Sequence, residues 1–119
     1  MALIVVLTMQ RVEHAAELDA LREAGHELTV VEPRFPECRE SLGGARAQLV
    51  LVDGHHQPSH GRATAGWMAS QARYRTVPFL FLDVADRDTA RVKKEVPRAQ
   101  FGTWSGVVGA SDRLARRAE

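Results

Sequence analysis

The apolar positions of this chain fall into two alternating kinds of segment. Short runs with little or no polar interruption, Leu3–Leu7, Leu28–Val31, Ala47–Asp53 and Pro78–Leu82, are separated by stretches in which apolar residues recur every three or four positions. Unalternating Val, Leu and Phe mark strands buried on both faces, as in a parallel sheet covered by helices on each side. A fifth, weaker strand is read from Ala99 to Trp104. Between the strands, Val12, Ala15, Ala16, Leu18, Leu21 and Ala24 predict a helix over 12–24, stopped by Gly25. A short helix from Pro36 to Leu42 carries its proline near the start and ends at Gly43-Gly44. Ala65, Met68, Ala69 and Ala72 give a weaker helical stripe between Gly61 and Tyr74. Asp86 or Asp88 is expected to cap a helix running to about Glu95, which Pro97 stops. The chain closes on an amphipathic helical stretch, 111–119, with Leu114 and Ala115 on its apolar face and a start some residues earlier.

Five strand–helix repeats demand a parallel sheet with right-handed crossovers and helices on both faces. Five such units are most commonly arranged in the flavodoxin-like strand order 2-1-3-4-5, so a single α/β domain over 1–119 is expected. The 119 residues, 45% hydrophobic, suit one core. Sixteen basic and 15 acidic side chains leave a formal charge of +1, so no strong field favours nucleic acid or a membrane surface. The longest apolar runs, about six residues, are too short for a membrane span or the core of a signal peptide. The single cysteine, Cys38, excludes an internal disulfide and fits a reducing cytoplasm; it reads as a buried structural thiol or an inert surface one.

Chemistry gathers after the third strand. Asp53 ends that strand, where open α/β sheets place their ligands, and Gly54-His-His-Gln-Pro-Ser-His-Gly61 follows it. The favoured reading of Asp53 is a carboxylate capping the loop by accepting backbone N–H bonds. His55, His56 and His60 share this loop, and imidazoles with a carboxylate suit Zn²⁺, Ni²⁺ or Cu²⁺. Adjacent histidines in an extended segment point apart, however, and the spacing matches no zinc signature. A solvated polar loop without a metal is therefore expected. No P-loop, G-x-G-x-x-G or nucleophile elbow occurs, and no cofactor is expected. Thr8-Met9-Gln10 is poor in the Ser, Thr and Gly that a flavin-binding loop would use. Arg113, Arg116 and Arg117 read as a solvated charged face.

These residues together resemble the receiver domain of two-component response regulators. The matching marks are the strand ending in Asp53, Gly61 eight residues on, Val77-Pro78 opening the fourth strand, and Gly25 after the first helix. The resemblance spans essentially the whole chain. It implies that Asp53 stands at the phosphoacceptor position, beside an acidic pair that holds Mg²⁺, a switch hydroxyl and a basic helper. The acidic pair falls on Thr8 and Met9, and neither can hold a hard cation. The switch hydroxyl falls on Asp83, whose carboxylate would repel a phosphoaspartate. The lysine position falls near Ser105, with Gly106 in place of a proline, and Pro58 lies five rather than four residues past the acceptor.

The resemblance therefore implies a degenerate, or pseudo-receiver, module. It would be non-enzymatic and cytoplasmic, bind no nucleic acid or membrane, and act on a protein partner such as a kinase or output domain; a homodimer is compatible with it. Alternatives are an active phosphoacceptor using Asp53 and a flavodoxin-like protein that binds a small ligand or metal at the His/Asp edge. If Asp53 and Asp83 lie close together, at least one carboxyl should be raised by mutual repulsion. Trp104 lies two residues past Gly102, the position where receivers carry a switch aromatic. It is expected in the core, with an exposed partner anchor as the other reading.

Overall fold

The computed structural model describes residues 2–34, 36–56 and 58–118, with side chains through Ala115. Five parallel strands, β1 (Leu3–Leu7), β2 (Glu27–Val31), β3 (Leu49–Asp53), β4 (Phe79–Leu82) and β5 (Gln100–Gly102), form one sheet in the order β2-β1-β3-β4-β5. The helices are α1 (Ala15–Glu23), α2 (Arg39–Gly43), α3 (Pro58–Ala69), α4 (Thr89–Glu95) and α5 (Val107–Ala118), with 3-10 turns at Ala72–Tyr74 and Asp86–Asp88. This is the flavodoxin-like topology that the alternation of segments demands.

Period-two alternation along each central strand divides its apolar run between two layers. Ile4, Val6, Leu49, Leu51, Leu80 and Leu82 pack with Leu18 and Leu21 of α1 and with Val107 and Leu114 of α5. Val5, Leu7, Val50, Val52, Phe79 and Phe81 pack on the other side with Leu42, Ala65, Met68 and Val92. Each strand thus feeds two cores, which is why its sequence shows no alternation. β2, at one edge, is only partly covered, and β5, at the other, has three residues.

The helices differ from expectation mainly at their starts. The first begins at Ala15, and Val12, which opens the predicted helical stripe, lies ahead of it and is 84% exposed. Of the six apolar positions on the predicted stripe, Leu18 and Leu21 are the buried ones. Gly25 ends this helix at φ +96°, a conformation that costs glycine little and a side chain much. α3 starts at Pro58 rather than near Gly61 and gives way to the 3-10 turn before Tyr74. Gly61 lies inside α3 against β3: a Cβ there would meet Val52 Cγ1 at 2.9 Å and the Asp53 carbonyl oxygen at 3.2 Å. Asp88 occupies the N-cap of α4 without a side-chain capping bond, and the Asp86 carbonyl instead accepts the Thr89 hydroxyl at 2.9 Å. Cys38 is buried, its Sγ 3.6 Å from Thr64 Oγ1. Arg113 is exposed, whereas the Arg116 and Arg117 side chains lie outside the described residues. Among the described residues no helix is long and apolar enough to cross a membrane.

Candidate functional site

β1 and β3 end side by side at the C-terminal edge of the sheet, and the pleat decides what each presents there. Ile4 and Val6 face the α1/α5 layer, and the same alternation carried two residues on directs Thr8 that way; Leu49 and Leu51 do the same for Asp53. The Thr8 hydroxyl donates to Asp53 Oδ2 at 2.9 Å. Trp104, just before α5, donates its indole Nε1–H to Asp53 Oδ1 at 3.4 Å. The backbone N–H groups of His55 and His56 also donate to Oδ1, at 3.0 and 3.5 Å, an Asx-type turn that carries the chain away from the strand. Asp53 is thereby 2% exposed.

Two imidazoles complete the surroundings. His14, at the N-cap of α1, places Nε2 3.4 Å from Asp53 Oδ2. Its ring stacks on Trp104 with centroids 3.9 Å apart and planes 11° from parallel. His56 Nδ1 lies 3.2 Å from the same Oδ2, while its Nε2 lies 2.7 Å from Glu13 Oε2. Glu17 Oε1 stands 3.8 Å from His14 Nδ1. Burial alone would raise the Asp53 carboxyl. The N–H of His55, the Thr8 hydroxyl, the Trp104 indole and the neighbouring His14 outweigh it and hold the carboxyl below its ordinary value of 3.8.

Asp53 and Thr8 are thus brought together as the resemblance implies, with Trp104 joining them from the core at 3% exposure. The other expected positions lie elsewhere. Met9 is half-buried and, with Gln10, Thr29, Val31 and Cys38, borders a cleft of about 640 Å³ of which Asp53 forms no wall. Ser105 is exposed, its hydroxyl 3.1 Å from that of Thr103, so the donor opposite Asp53 comes from Trp104, one residue earlier. Asp83 leaves β4 at φ +57° and is exposed, accepting the Trp104 backbone N–H at 3.4 Å. The raised carboxyl expected from an Asp53–Asp83 encounter is not found at Asp53, because donors surround it. His55 is exposed, as a solvated loop predicts, and His60 is exposed but lies in the first turn of α3 rather than in the loop, while His56 turns inward between Asp53 and Glu13.

No local signal in the sequence singles out His14: the spacing predicts one helix over 12–24, and the receiver resemblance points only to Thr8 and Met9 ahead of it. His14, Asp53 and His56 each offer a ligand atom, all within 4.8 Å of one another. The Mg²⁺ implied by the receiver resemblance does not fit this donor set. Thr8 spends its hydroxyl on Asp53, Met9 offers a thioether, and two imidazoles replace the oxygens that a hard, reluctantly dehydrated cation requires.

No family model matches the chain. No curated protein matches it in sequence. Solved structures do match in fold. The chemotaxis protein CheY4 of Vibrio cholerae superposes with a TM-score of 0.78 at 17% identity, over 96% of this chain and 98% of that one. The receiver domain of a Francisella response regulator gives 0.76 at 11% identity over all of both chains. The signal receiver domain of a histidine kinase from Syntrophus aciditrophicus gives 0.74 at 22% identity, over 98% and 92%. At such identities the likeness is one of architecture, and the chain has the five-stranded flavodoxin-like fold of response-regulator receiver domains.

Proposed function

We propose that this chain is a receiver-type signalling module that no longer takes up phosphate by the Mg²⁺-assisted route and acts by binding a protein partner. The observation that carries the reading is the occupation of Asp53. Its oxygens accept hydrogen bonds from Thr8, Trp104 and two backbone N–H groups, and the His56 and His14 ring nitrogens lie 3.2 and 3.4 Å from Oδ2. Phosphoryl transfer to a carboxylate depends on positioning and on neutralising charge at the phosphoryl oxygens. Here the position of the acid pair holds Thr8 and Met9, and the switch position holds the exposed carboxylate of Asp83. The fold is kept while the means of charge neutralisation is replaced.

Trp104, being buried, is no partner anchor. Phe101 on the edge strand β5, 37% exposed between α4 and α5, is the better one. Incubation with Mg²⁺ and a small-molecule phosphodonor, followed by intact-mass and peptide analysis, should leave Asp53 unmodified. A phosphoryl adduct at Asp53 would overturn the proposal in favour of an active phosphoacceptor.

A further inference from the structure

We infer that His14, Asp53 and His56 form a binding site for a divalent transition-metal ion of the zinc class. The site stands on its own geometry, whatever partner the domain serves. Its first support is the arrangement of lone pairs. His56 Nε2 faces Glu13 at 2.7 Å and His14 Nδ1 faces Glu17 at 3.8 Å. Glu13, at hydrogen-bond distance, favours the proton on His56 Nε2 and leaves Nδ1 as an electron-pair donor, while the charge of Glu17 favours the corresponding tautomer of His14, with Nε2 as the donor. Both free nitrogens converge on Asp53 Oδ2, at 3.2 and 3.4 Å. Two ligands each about 2.1 Å from a tetrahedral ion stand about 3.4 Å apart, so each nitrogen–oxygen separation suits zinc ligation, and all three atoms lie within 4.8 Å of one another.

The second support is an unanswered polar atom. Oδ2 has two lone pairs, of which the Thr8 hydroxyl takes one and the other is left for an ion. His14 Nε2, on a side chain only 9% exposed, is left without a hydrogen-bond partner although it lies 3.4 Å from Oδ2. One cation among the three atoms satisfies His14 Nε2, which no hydrogen bond does. It coordinates both imidazoles and the carboxylate. The stack on Trp104 fixes the His14 ring for this role. Nitrogen donors select a borderline-soft ion over Mg²⁺.

Titration of Zn²⁺ alone into the full chain, stripped of metal by a chelator, should show by calorimetry one ion bound per chain at micromolar or tighter affinity. Co²⁺ should give the visible absorption of nitrogen–oxygen ligation. His14→Ala and His56→Ala should each weaken Zn²⁺ binding beyond the roughly 10–100-fold that loss of an outer partner causes, and Glu13→Gln should fall within that range. His60→Ala, an exposed histidine in the first turn of α3, should bind as the parent does. Circular dichroism checks that each variant folds. If His14→Ala does not, the half-buried His56→Ala decides alone. Absence of micromolar Zn²⁺ binding, affinity unchanged in the folded histidine variants, loss of binding in His60→Ala, or Mg²⁺ bound as tightly as Zn²⁺ would each overturn the assignment.

Discussion

Replacing Trp104 by Phe separates what the indole does for Asp53 from what its bulk does for the core. Phenylalanine keeps a ring against His14 but removes the Nε1–H that donates to Asp53 Oδ1 at 3.4 Å. A hydrogen bond to a charged group is worth about 1.5–3 kcal/mol at good geometry, and this one is long, so about 1 kcal/mol is expected. The smaller ring also leaves a void, adding on the order of 1 kcal/mol. Trp104→Phe should therefore cost about 2 kcal/mol in total. In an Asp53→Ala background the hydrogen bond no longer exists to be lost, and only the void term should remain. The double-mutant cycle then yields a coupling of about 1 kcal/mol, above the few tenths that separate independent sites from interacting ones. Urea unfolding followed by far-UV circular dichroism on chelator-treated protein measures all four corners. NMR titration of Trp104→Phe should place the Asp53 carboxyl above its position in the parent, since one of the bonds that lowers it is gone. A coupling indistinguishable from zero, with the Asp53 carboxyl unmoved, would refute the hydrogen bond and the account of Asp53 built on it.

Further substitutions probe the frame around the site. Gly61→Ala gains about 1 kcal/mol of helix propensity but forces a methyl to 2.9 Å from Val52 Cγ1, and overpacking of about 1–3 kcal/mol should leave a net loss; a rise in the urea midpoint would contradict the close approach of α3 to β3. The Tyr74 hydroxyl lies 3.1 Å from the Leu42 carbonyl oxygen and 3.0 Å from that of Ala45. Tyr74→Phe should cost about 1 kcal/mol, and unchanged stability would mean that this hydroxyl does not pin the α2–β3 connection. His26 Nε2 lies 2.6 Å from Asp112 Oδ1, tying the turn before β2 to α5. Because Asp112 is partly exposed, His26→Ala should cost only about 1 kcal/mol, and hydrogen exchange should quicken first in α5. Exchange that quickens elsewhere and spares α5 would count against the tie.

The fold was legible because its strands are buried on both sides, and Val-Leu-Val or Phe-Leu-Phe runs bounded by turn residues are too short for a buried helix. Helix starts were harder. Val12 fits the helical stripe by spacing, yet the chain between β1 and α1 is a turn, and spacing alone does not mark where a turn ends. Asp53 was legible as the end of a buried strand. Its neighbours were legible only in part: the pleat that sends Ile4 and Val6 to one layer also sends Thr8 there, but nothing local shows that His14 and Trp104 reach the same point from two different loops. Ser105 was expected where Trp104 acts, a displacement of one residue in a loop whose length no periodicity constrains. His56 departed from a solvated loop because Glu13 and Asp53, one distant in sequence and the other buried, hold its two ring nitrogens.

The parallel stack of an imidazole on an indole gives the domain an optical property. Charge arriving at the His14 ring, whether carried by a proton or by an ion, changes the field across Trp104 and hence its emission. With Trp67 replaced by Phe, the remaining tryptophan becomes an intrinsic, label-free gauge of occupancy beside Asp53. The state of a buried carboxylate can then be followed in a cuvette, in real time, while candidate partners are added.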